Sequence, residues 1–260
     1  MISDLTIGDL MVDCADAERS RDFYAELMGY EKTVAYNCLA LKTDNGLTIL
    51  FAGIDLPYVP PVWPEESGYQ QKQMHLDFTA DDFPAAVDKA IRLGATKTAA
   101  QYGGEGFITM LDPEGRPFCL CKRYPESEFE AYFRKKGFDV IPSPSINIDC
   151  VDTAKLREFY ARLTPWDQNF HWTALIPENG MVVHFMGCDF GYIPPVWPEK
   201  PGKQQKQMHF NFQVNDLPAA VAEAIRLGAT RTAKQYGGEH FITMLDPEGH
   251  PFCLCRRSNA

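Results

Sequence analysis

Residues 58–123 of the chain read YVPPVWPEESGYQQKQMHLDFTADDFPAAVDKAIRLGATKTAAQYGGEGFITMLDPEGRPFCLCKR, and residues 192–257 read YIPPVWPEKPGKQQKQMHFNFQVNDLPAAVAEAIRLGATRTAKQYGGEHFITMLDPEGHPFCLCRR. About 49 of these 66 positions are identical without a gap, so the similarity cannot be a coincidence. The upstream segments correspond more loosely, for example Val12-Asp13-Cys14 with Ile148-Asp149-Cys150. The chain is therefore a tandem duplication of one domain of about 120 residues, which is an ordinary domain size. We call the two domains copy one and copy two.

Each copy contains one predicted series of elements twice. In copy one, a strand over 5–14 precedes a helix that Asp16 caps and Gly29 ends, and three strand-like runs follow. The second series begins with a strand at 74–79 and a helix that begins at Asp82, and continues with a short strand at 96–98 and a hairpin across the turn at 112–115. Both series read strand, helix and three strands, written βαβββ. We predict domain one over 1–124, a helical linker over 125–142 that begins with a capping box at Ser127, and domain two over 143–257.

Composition excludes several classes of function. The formal net charge is −10, and no basic stripe is present that would bind nucleic acid or an anionic membrane surface. No apolar run approaches the length of a membrane span, and the N-terminus shows no basic-then-apolar signal, so we expect a cytoplasmic protein. Six of the eight cysteines lie at repeat-equivalent positions within apolar alternating runs, and we expect reduced thiols in the core.

Three motifs resemble the vicinal oxygen chelate superfamily, and within it the glyoxalase-like, bleomycin-resistance-type domains. They are His-Leu-Asp-Phe at 75–78, Asp-Pro-Glu-Gly-x-Pro-Phe-Cys-Leu-Cys at 112–121, and Pro-Pro-x-Trp-Pro at 60–64. The resemblance implies an α+β protein of two tandem glyoxalase-like domains, each two βαβββ units forming a cup-shaped mixed sheet with helices outside. The superfamily includes metal-dependent enzymes such as glyoxalase I and extradiol dioxygenases, and resistance proteins that only sequester a drug. The fold therefore leaves the chemistry open.

The resemblance also places candidate metal ligands on the first and last strands of each unit. In copy one these positions carry Asp9, Leu50 (Ile49 if the register shifts by one), His75 and Cys119. In copy two they carry Ser145, His184 (or Val183), His209 and Cys253. Neither set has the carboxylates of the metal-dependent pattern. The predicted metal set is His184, His209 and Cys253 of copy two, which would suit one divalent ion such as Zn, Ni, Mn or Fe.

Eight residues are predicted to line a ligand cavity. They are His75, His209, Trp63, Trp197, Tyr102, Tyr236, Cys119 and Cys253. The histidines open strands, so they contact ligand or are satisfied within the protein. The cysteines lie in apolar strands with no sequence neighbour that would lower the pKa of a thiol, so we expect them to line the cavity as unreactive thiols. The aromatic residues offer ligand contact, with core or interface packing as the alternative.

Other polar residues have weaker patterns. Asp9 is a general base, a ligand or, more commonly for such a position, a solvated acid at a strand start. Glu105 and Glu239 follow Gly-Gly in loops and are expected to be exposed. His240 and His250 stand at loop and turn tips, where we expect solvent exposure. The proline-rich segments 58–73 and 192–207, called the straps, are interpreted as connectors rather than flaps over a pocket.

Two functional hypotheses follow, and a third assigns the protein only a structural role. The first is a binding protein that sequesters or senses a small, partly aromatic or apolar organic molecule. The second is a metal-dependent lyase, isomerase or dioxygenase with its site in domain two, where the ion would polarise a carbonyl or chelate vicinal oxygens. The third is a structural pairing module. In each case the two copies are expected to pack as a pseudo-dimer within one chain, with a homodimer of the chain as an alternative assembly.

Overall fold

The computed structural model describes residues 1–54, 56–124, 128–137, 143–188 and 191–257. Copy one contains β1 (Thr6–Cys14), α1 (Ala17–Met28), β2 (Glu31–Ala35), β3 (Cys38–Lys42), β4 (Thr48–Gly53), β5 (Met74–Ala80), α2 (Phe83–Arg92), β6 (Thr96–Lys97), β7 (Phe107–Leu111) and β8 (Pro117–Lys122). The helix α3 (Glu128–Lys135) follows. Copy two contains β9 (Ser145–Cys150), α4 (Thr153–Leu163), β10 (Ala174–Leu175), β11 (Val183–Gly187), β12 (Met208–Val214), α5 (Leu217–Leu227), β13 (Thr230–Arg231), β14 (Phe241–Leu245) and β15 (Pro251–Arg256).

The helices begin and end where their capping residues predict. The side chain of Asp16 accepts a hydrogen bond from the backbone of Arg19 at the start of α1, and Gly29 ends the helix in the left-handed conformation. Asp82 caps α2 in the same way, with a proline in the first turn. The predicted turn at 112–115 joins β7 to β8 as an antiparallel hairpin. The predicted strand–helix–strand series is therefore present in both copies.

The strands form two mixed sheets, and each sheet combines one unit from each copy. The eight-stranded sheet has the order β13-β14-β15-β12-β1-β4-β3-β2, and the seven-stranded sheet has the order β10-β11-β9-β5-β8-β7-β6. In each sheet one antiparallel strand pair joins the two copies: β1 pairs with β12, and β5 pairs with β9. We call the concave faces the eight-stranded cup and the seven-stranded cup.

This topology confirms a tandem α+β duplication, in which three of the four described units are βαβββ and the first unit of copy two has only β10 and β11 after α4. It also changes which units share a cup. The sequence analysis grouped candidate ligands by copy. Since the first unit of copy one pairs with the second unit of copy two, residues of one copy are divided between the two cups. The two copies thus form a pseudo-dimer within one chain.

The straps hold this arrangement together, because their glutamines bond across the copies. The backbone N–H of Gln71 donates to Gln204 Oε1 at 2.8 Å, and that of Gln205 donates to Gln70 Oε1 at 2.7 Å. The strap is also seated on the hairpin turn, where a Cβ at Gly115 would lie 2.9 Å from Cβ of Pro60. The straps are therefore structural connectors between copies.

The helix α3 packs on copy two. Phe133 is buried with Ala174, Ile176 and Val182, and the hydroxyl of Tyr132 donates to the carboxylate of Asp167 at 2.8 Å. Much of the predicted linker, including Ser127 of its capping box, lies outside the described residues. Within the described part of the chain, every helix is too short or too polar to span a lipid bilayer.

Candidate functional site

Two rows of side chains cross the floor of the eight-stranded cup, because residues paired across strands point to the same face. The first row contains Leu50 of β4, Met11 of β1 and His209 of β12. The second row contains Asp9 of β1, Asn211 of β12, Cys253 of β15 and Thr243 of β14. Alternate residues of the same strands, such as Leu10 and Phe210, point away into the hydrophobic core.

The two rows line a cavity of about 820 Å³. This volume suits a small organic molecule. Its wall includes Trp197, Pro198 and Glu199 of the strap, so the strap contributes to the cavity as well as to the joint between copies. Tyr36, Tyr236 and Phe241 add aromatic surface. The cavity is therefore largely apolar and aromatic above a floor with a few polar groups.

Asp9 is buried on this floor, with only 4% of its surface exposed. Burial raises its pKa to about 6, and a 2.6 Å hydrogen bond donated by Asn211 Nδ2 opposes that rise. The interpretation of Asp9 as a solvated acid is wrong, because a bulge between Ile7 and Asp9 turns the side chain inward. The bulge residue Gly8 has no room for a side chain, since a Cβ would lie 2.8 Å from Gln213 Cγ.

His209 is neutral on the same floor. Burial lowers its pKa to about 3, and the nearby ammonium group of Lys206 adds to that effect. Its Nδ1 atom has no hydrogen-bond partner among the described residues. A neutral imidazole with a free ring nitrogen can donate to, or accept from, a bound molecule. His209 thus lines the cavity of the eight-stranded cup. That it contacts a ligand stays a prediction.

Lys206 closes one side of the cavity with a buried ion pair between copies. Its Nζ lies 2.6 Å from Asp13 of β1 and 3.4 Å from Glu199 of the strap, and 5.2 Å from the centre of the Trp197 ring. Burial alone would lower the pKa of Lys206, but the two carboxylates raise it above its ordinary value. The ammonium group is therefore committed to these carboxylates and serves the scaffold.

The floor of the seven-stranded cup has the same layout with different chemistry. Its first row contains His184 of β11, Asn147 of β9 and His75 of β5. Its second row contains Ser145 of β9, Asp77 of β5, Cys119 of β8 and Thr109 of β7. Burial lowers the pKa of His184 to about 4 and that of His75 well below its ordinary value, so both imidazoles are neutral.

Three possible metal donors converge on that second floor. One ligand atom each of His75, Asp77 and Cys119 lie within 4.8 Å of one another. Nε2 of His75 is 3.4 Å from Oδ1 of Asp77, and Oδ2 of the same carboxylate accepts a 2.8 Å hydrogen bond from Asn147. Asp77 Oδ1 and His75 Nδ1 have no hydrogen-bond partner in the described structure. This mixed nitrogen, oxygen and sulfur set fits a borderline divalent ion such as Zn²⁺.

The predicted metal set of His184, His209 and Cys253 is not brought together. His209 and Cys253 lie in the eight-stranded sheet and His184 in the seven-stranded sheet, because the sheets combine units of different copies. His184 shares its row with Asn147 and His75 instead. Asp77 was missed as a donor. It follows His75 by two positions in an alternating strand, a spacing that places both side chains on one face.

The cysteines of both cups are protonated wall residues. Burial raises the pKa of Cys253 to about 11, and its Sγ contacts Thr243 Oγ1 at 3.6 Å. Cys119 contacts Thr109 at 3.7 Å, and burial together with the nearby Asp77 carboxylate raises its thiol pKa strongly. A thiol with a raised pKa is a poor nucleophile at neutral pH, although a metal ion would displace its proton.

The predicted aromatic pairs stand at corresponding places in the two cups. Trp63 and Tyr102 meet edge to face with ring centres 5.8 Å apart, and Trp197 and Tyr236 do so at 5.6 Å. Both tryptophan Nε1 atoms lack a hydrogen-bond partner among the described residues. Trp197 and Tyr236 line the cavity of the eight-stranded cup.

The remaining polar candidates divide between surface and core. Glu105, Glu239 and His240 are exposed, as predicted. His250 is buried, against prediction, because the strap of copy two covers its turn. Its Nε2 lies 2.8 Å from the hydroxyl of Tyr192, and its Nδ1 lies 3.0 Å from Asp246. His250 therefore belongs to the scaffold and not to either cup.

Comparison with known proteins agrees with this architecture. The profile of the Glyoxalase-like domain matches residues 9–121 and 145–255. Glyoxalase I from Zea mays is 13% identical with a TM-score of 0.59, and the match covers 97% of this chain and 92% of that chain. A variant of the same enzyme is 14% identical with a TM-score of 0.61, covering 97% and 94%.

A third structure is a protein of Bacillus subtilis subsp. subtilis str. 168 named as a candidate dioxygenase. It is 13% identical with a TM-score of 0.57, and the match covers 98% of this chain and 86% of that chain. No curated protein sequence matched the chain. At these identities the structural similarity shows the fold alone, while the two profile matches span most of the sequence. The chain belongs to the glyoxalase-like domain family, with two tandem copies of the domain.

Proposed function

We propose that the protein binds a small, partly aromatic organic molecule in the eight-stranded cup, in order to sequester or sense it. The observation that carries the proposal is the cavity of about 820 Å³, with an aromatic wall above a floor of Asp9, Asn211 and His209. An apolar cavity with a few convergent polar groups is typical of small-molecule sites. Two polar groups of the floor could form hydrogen bonds with a bound molecule. They are Nδ1 of His209, which has no partner among the described residues, and the carboxyl group of Asp9, whose pKa is raised by burial.

The experiment is a thermal-shift screen with a stated panel of benzoate, benzamide, benzylamine, phenol and their naphthalene analogues. The matched variant Ala52→Trp fills the cavity from β4, and Met186→Trp at the corresponding position of the seven-stranded cup serves as its control. We expect at least one compound to stabilise the wild type and Met186→Trp but not Ala52→Trp. A panel without any stabilising compound, or one that stabilises Ala52→Trp equally, contradicts the proposal.

A second candidate function is metal binding in the seven-stranded cup, because His75, Asp77 and Cys119 converge there. A divalent ion such as Zn, Ni, Mn or Fe would act as a Lewis acid that polarises a carbonyl or chelates two vicinal oxygens, as in a lyase, isomerase or dioxygenase. His75, Asp77 and Cys119 would hold the ion, and Asn147 would orient the carboxylate of Asp77.

The test is the metal content of protein loaded with Zn²⁺ and then dialysed. We expect one equivalent in the wild type, loss of zinc in His75→Ala, and retention in His209→Ala, which changes the corresponding residue of the other cup. Zinc absent from the wild type, or lost equally in both variants, contradicts this candidate.

A further inference from the structure

The second-unit residues that line the eight-stranded cup differ in charge from their counterparts in copy one. The second unit of copy two contributes residues to this wall. Five of them differ from the residues at the corresponding positions of copy one. The pairs are Asp77 and Asn211, Thr79 and Gln213, Ala100 and Lys234, Gly106 and His240, and Lys122 and Arg256. Two of these exchanges make the wall more positive, by removing a carboxylate and by adding an ammonium group. None makes it more negative, although the whole chain carries a formal charge of −10.

The added basic residues stand together at the mouth of the cavity. Lys234, His240 and Arg256 are exposed and line the same cavity as the buried floor residues, so they mark its open end. The backbone N–H of Arg256 donates to the carbonyl oxygen of His240 at 2.8 Å, which keeps these two residues adjacent. We call this group the basic rim.

The two strong cations of the basic rim are not neutralised by the protein. Neither Lys234 nor Arg256 forms an ion pair with any residue that the structure describes. Lys206 in the same wall is different, because Asp13 and Glu199 both hold it. Unpaired cations at the mouth of an apolar cavity attract an anionic group.

Aromatic surface lies next to the rim. The Nζ atom of Lys234 is 4.8 Å from the centre of the Tyr236 ring, and that ring meets Trp197 edge to face. A planar ring that entered here would contact these faces while its acidic group stayed at the mouth. The buried floor of Asp9, Asn211 and His209 would then meet the far end of the molecule.

We propose that the eight-stranded cup is selective for an aromatic anion, with its carboxylate or sulfonate at the basic rim and its ring against Tyr236 and Trp197. This inference rests on the proposed function of the cup and adds the chemical class of its ligand. The seven-stranded cup keeps a cation, Lys122, at the place of Arg256 but has Ala100 and Gly106 at the places of Lys234 and His240, so its rim offers one strong cation instead of two.

The test compares two fluorescent probes that differ by one sulfonate group, 8-anilinonaphthalene-1-sulfonate and neutral N-phenyl-1-naphthylamine. At low ionic strength we expect the wild type to bind the anion roughly tenfold more tightly than the neutral probe. Lys234→Ala/His240→Gly installs the residues of copy one and should reduce this preference to about twofold or less, without weakening the neutral probe. Salt at about 0.5 M should remove most of the preference in the wild type.

The control variant is Lys122→Gln at the corresponding rim of the seven-stranded cup, which should change neither affinity. Binding without an anion preference, or a preference that the double variant retains, overturns the inference and leaves the proposed function to the compound panel. Failure of both probes to bind overturns the inference too. The proposed function itself fails by a different result: either no compound of the panel stabilises the wild type, or the compounds stabilise Ala52→Trp equally.

Discussion

The two cups share a scaffold and differ in the chemistry of their floors. Each is assembled from a first unit of one copy and a second unit of the other, and each is braced by a lysine of its strap, Lys206 or Lys72, that crosses to the opposite copy. The floor of the eight-stranded cup carries one carboxylate beside apolar Leu50 and Met11. The corresponding floor of the seven-stranded cup is polar, with His184 and Asn147 at those two positions.

The difference shows how a duplicated chain can hold two distinct sites. In the second units the scaffold positions are almost all repeated, whereas the first units have diverged further. Because the units pair across copies, each row combines divergent residues of a first unit with mostly repeated residues of a second unit. The shared features should therefore respond to mutation in the same way in both cups, and the floors should respond differently.

The largest expected effect concerns the shared lysines. Lys206→Met and Lys72→Met should each lower the free energy of unfolding by roughly 3–5 kcal/mol, because each leaves buried carboxylates without their counter-ion. Chemical denaturation measures both values. Adding Asp13→Asn to Lys206→Met should recover part of the loss. If only one of the two substitutions lowers the free energy of unfolding, the two lysines do not have equivalent roles.

An intermediate effect is expected from Asp9, which has no carboxylate counterpart at Ser145. Its pKa is 3.8 ordinarily and about 6 in the fold, so the stability that Asp9 contributes below pH 3.8 is lost as pH rises through 6. Asp9→Asn should therefore be more stable than the wild type by about 3 kcal/mol at pH 7, with the gain absent near pH 3.5.

Urea denaturation between pH 3.5 and pH 8 tests this expectation. Glu239→Gln is the control, because it replaces a carboxylate that is exposed and not part of the cup floor. A pH-independent difference for Asp9→Asn would mean that the carboxyl is not desolvated on the floor of the cup.

The smallest effect concerns the turn where copy one has Arg116 and copy two has His250. Asp246, together with the backbone oxygen and the charge of Asp149, raises the pKa of His250 despite its burial, which alone would lower it. A histidine with a raised pKa stabilises the fold below its ordinary value of 6.5, and this contribution is lost as pH rises through the folded pKa. His250→Arg keeps its charge, so it should gain about 1 kcal/mol over the wild type between pH 6 and pH 9.

Thermal or urea unfolding of the two proteins across that interval gives the comparison. Arg116→His should introduce the same pH dependence into the other copy, where the guanidinium donates to Asp112 Oδ2 at 2.9 Å. If neither exchange alters the slope of stability against pH, the two turns are electrostatically equivalent.

The sequence predicted the elements, because capping residues and alternation are local signals. The repeat was visible from the identity of the two copies, and the family from the resemblance of the motifs at 60–64, 75–78 and 112–121. The sequence did not predict which units share a sheet, since a strand pattern specifies a face but not the partner strand. The pairing depends on tertiary contacts, such as the bonds between Gln71 and Gln204, that no local pattern reveals. Grouping ligands by copy therefore produced a metal set that spans both sheets.

Burial was the other property that local pattern could not supply. Asp9 looked like an exposed strand start, and its inward direction depends on the bulge at Gly8. His250 stands in a turn that would be exposed if the strap did not cover it. By contrast, His75, His209, Trp197 and Tyr236 were predicted as candidate cavity residues from strand position and from the strap motif. That they bind a ligand stays a prediction.

The most direct test of the claim that the cups have separate occupants is a crystal structure of the protein with both Zn²⁺ and 8-anilinonaphthalene-1-sulfonate. We predict an anomalous zinc peak about 2.0–2.3 Å from donor atoms of His75, Asp77 and Cys119, and dye density only in the eight-stranded cup beside Lys234. Zinc beside His209 and Cys253, or dye in the seven-stranded cup, would contradict the account.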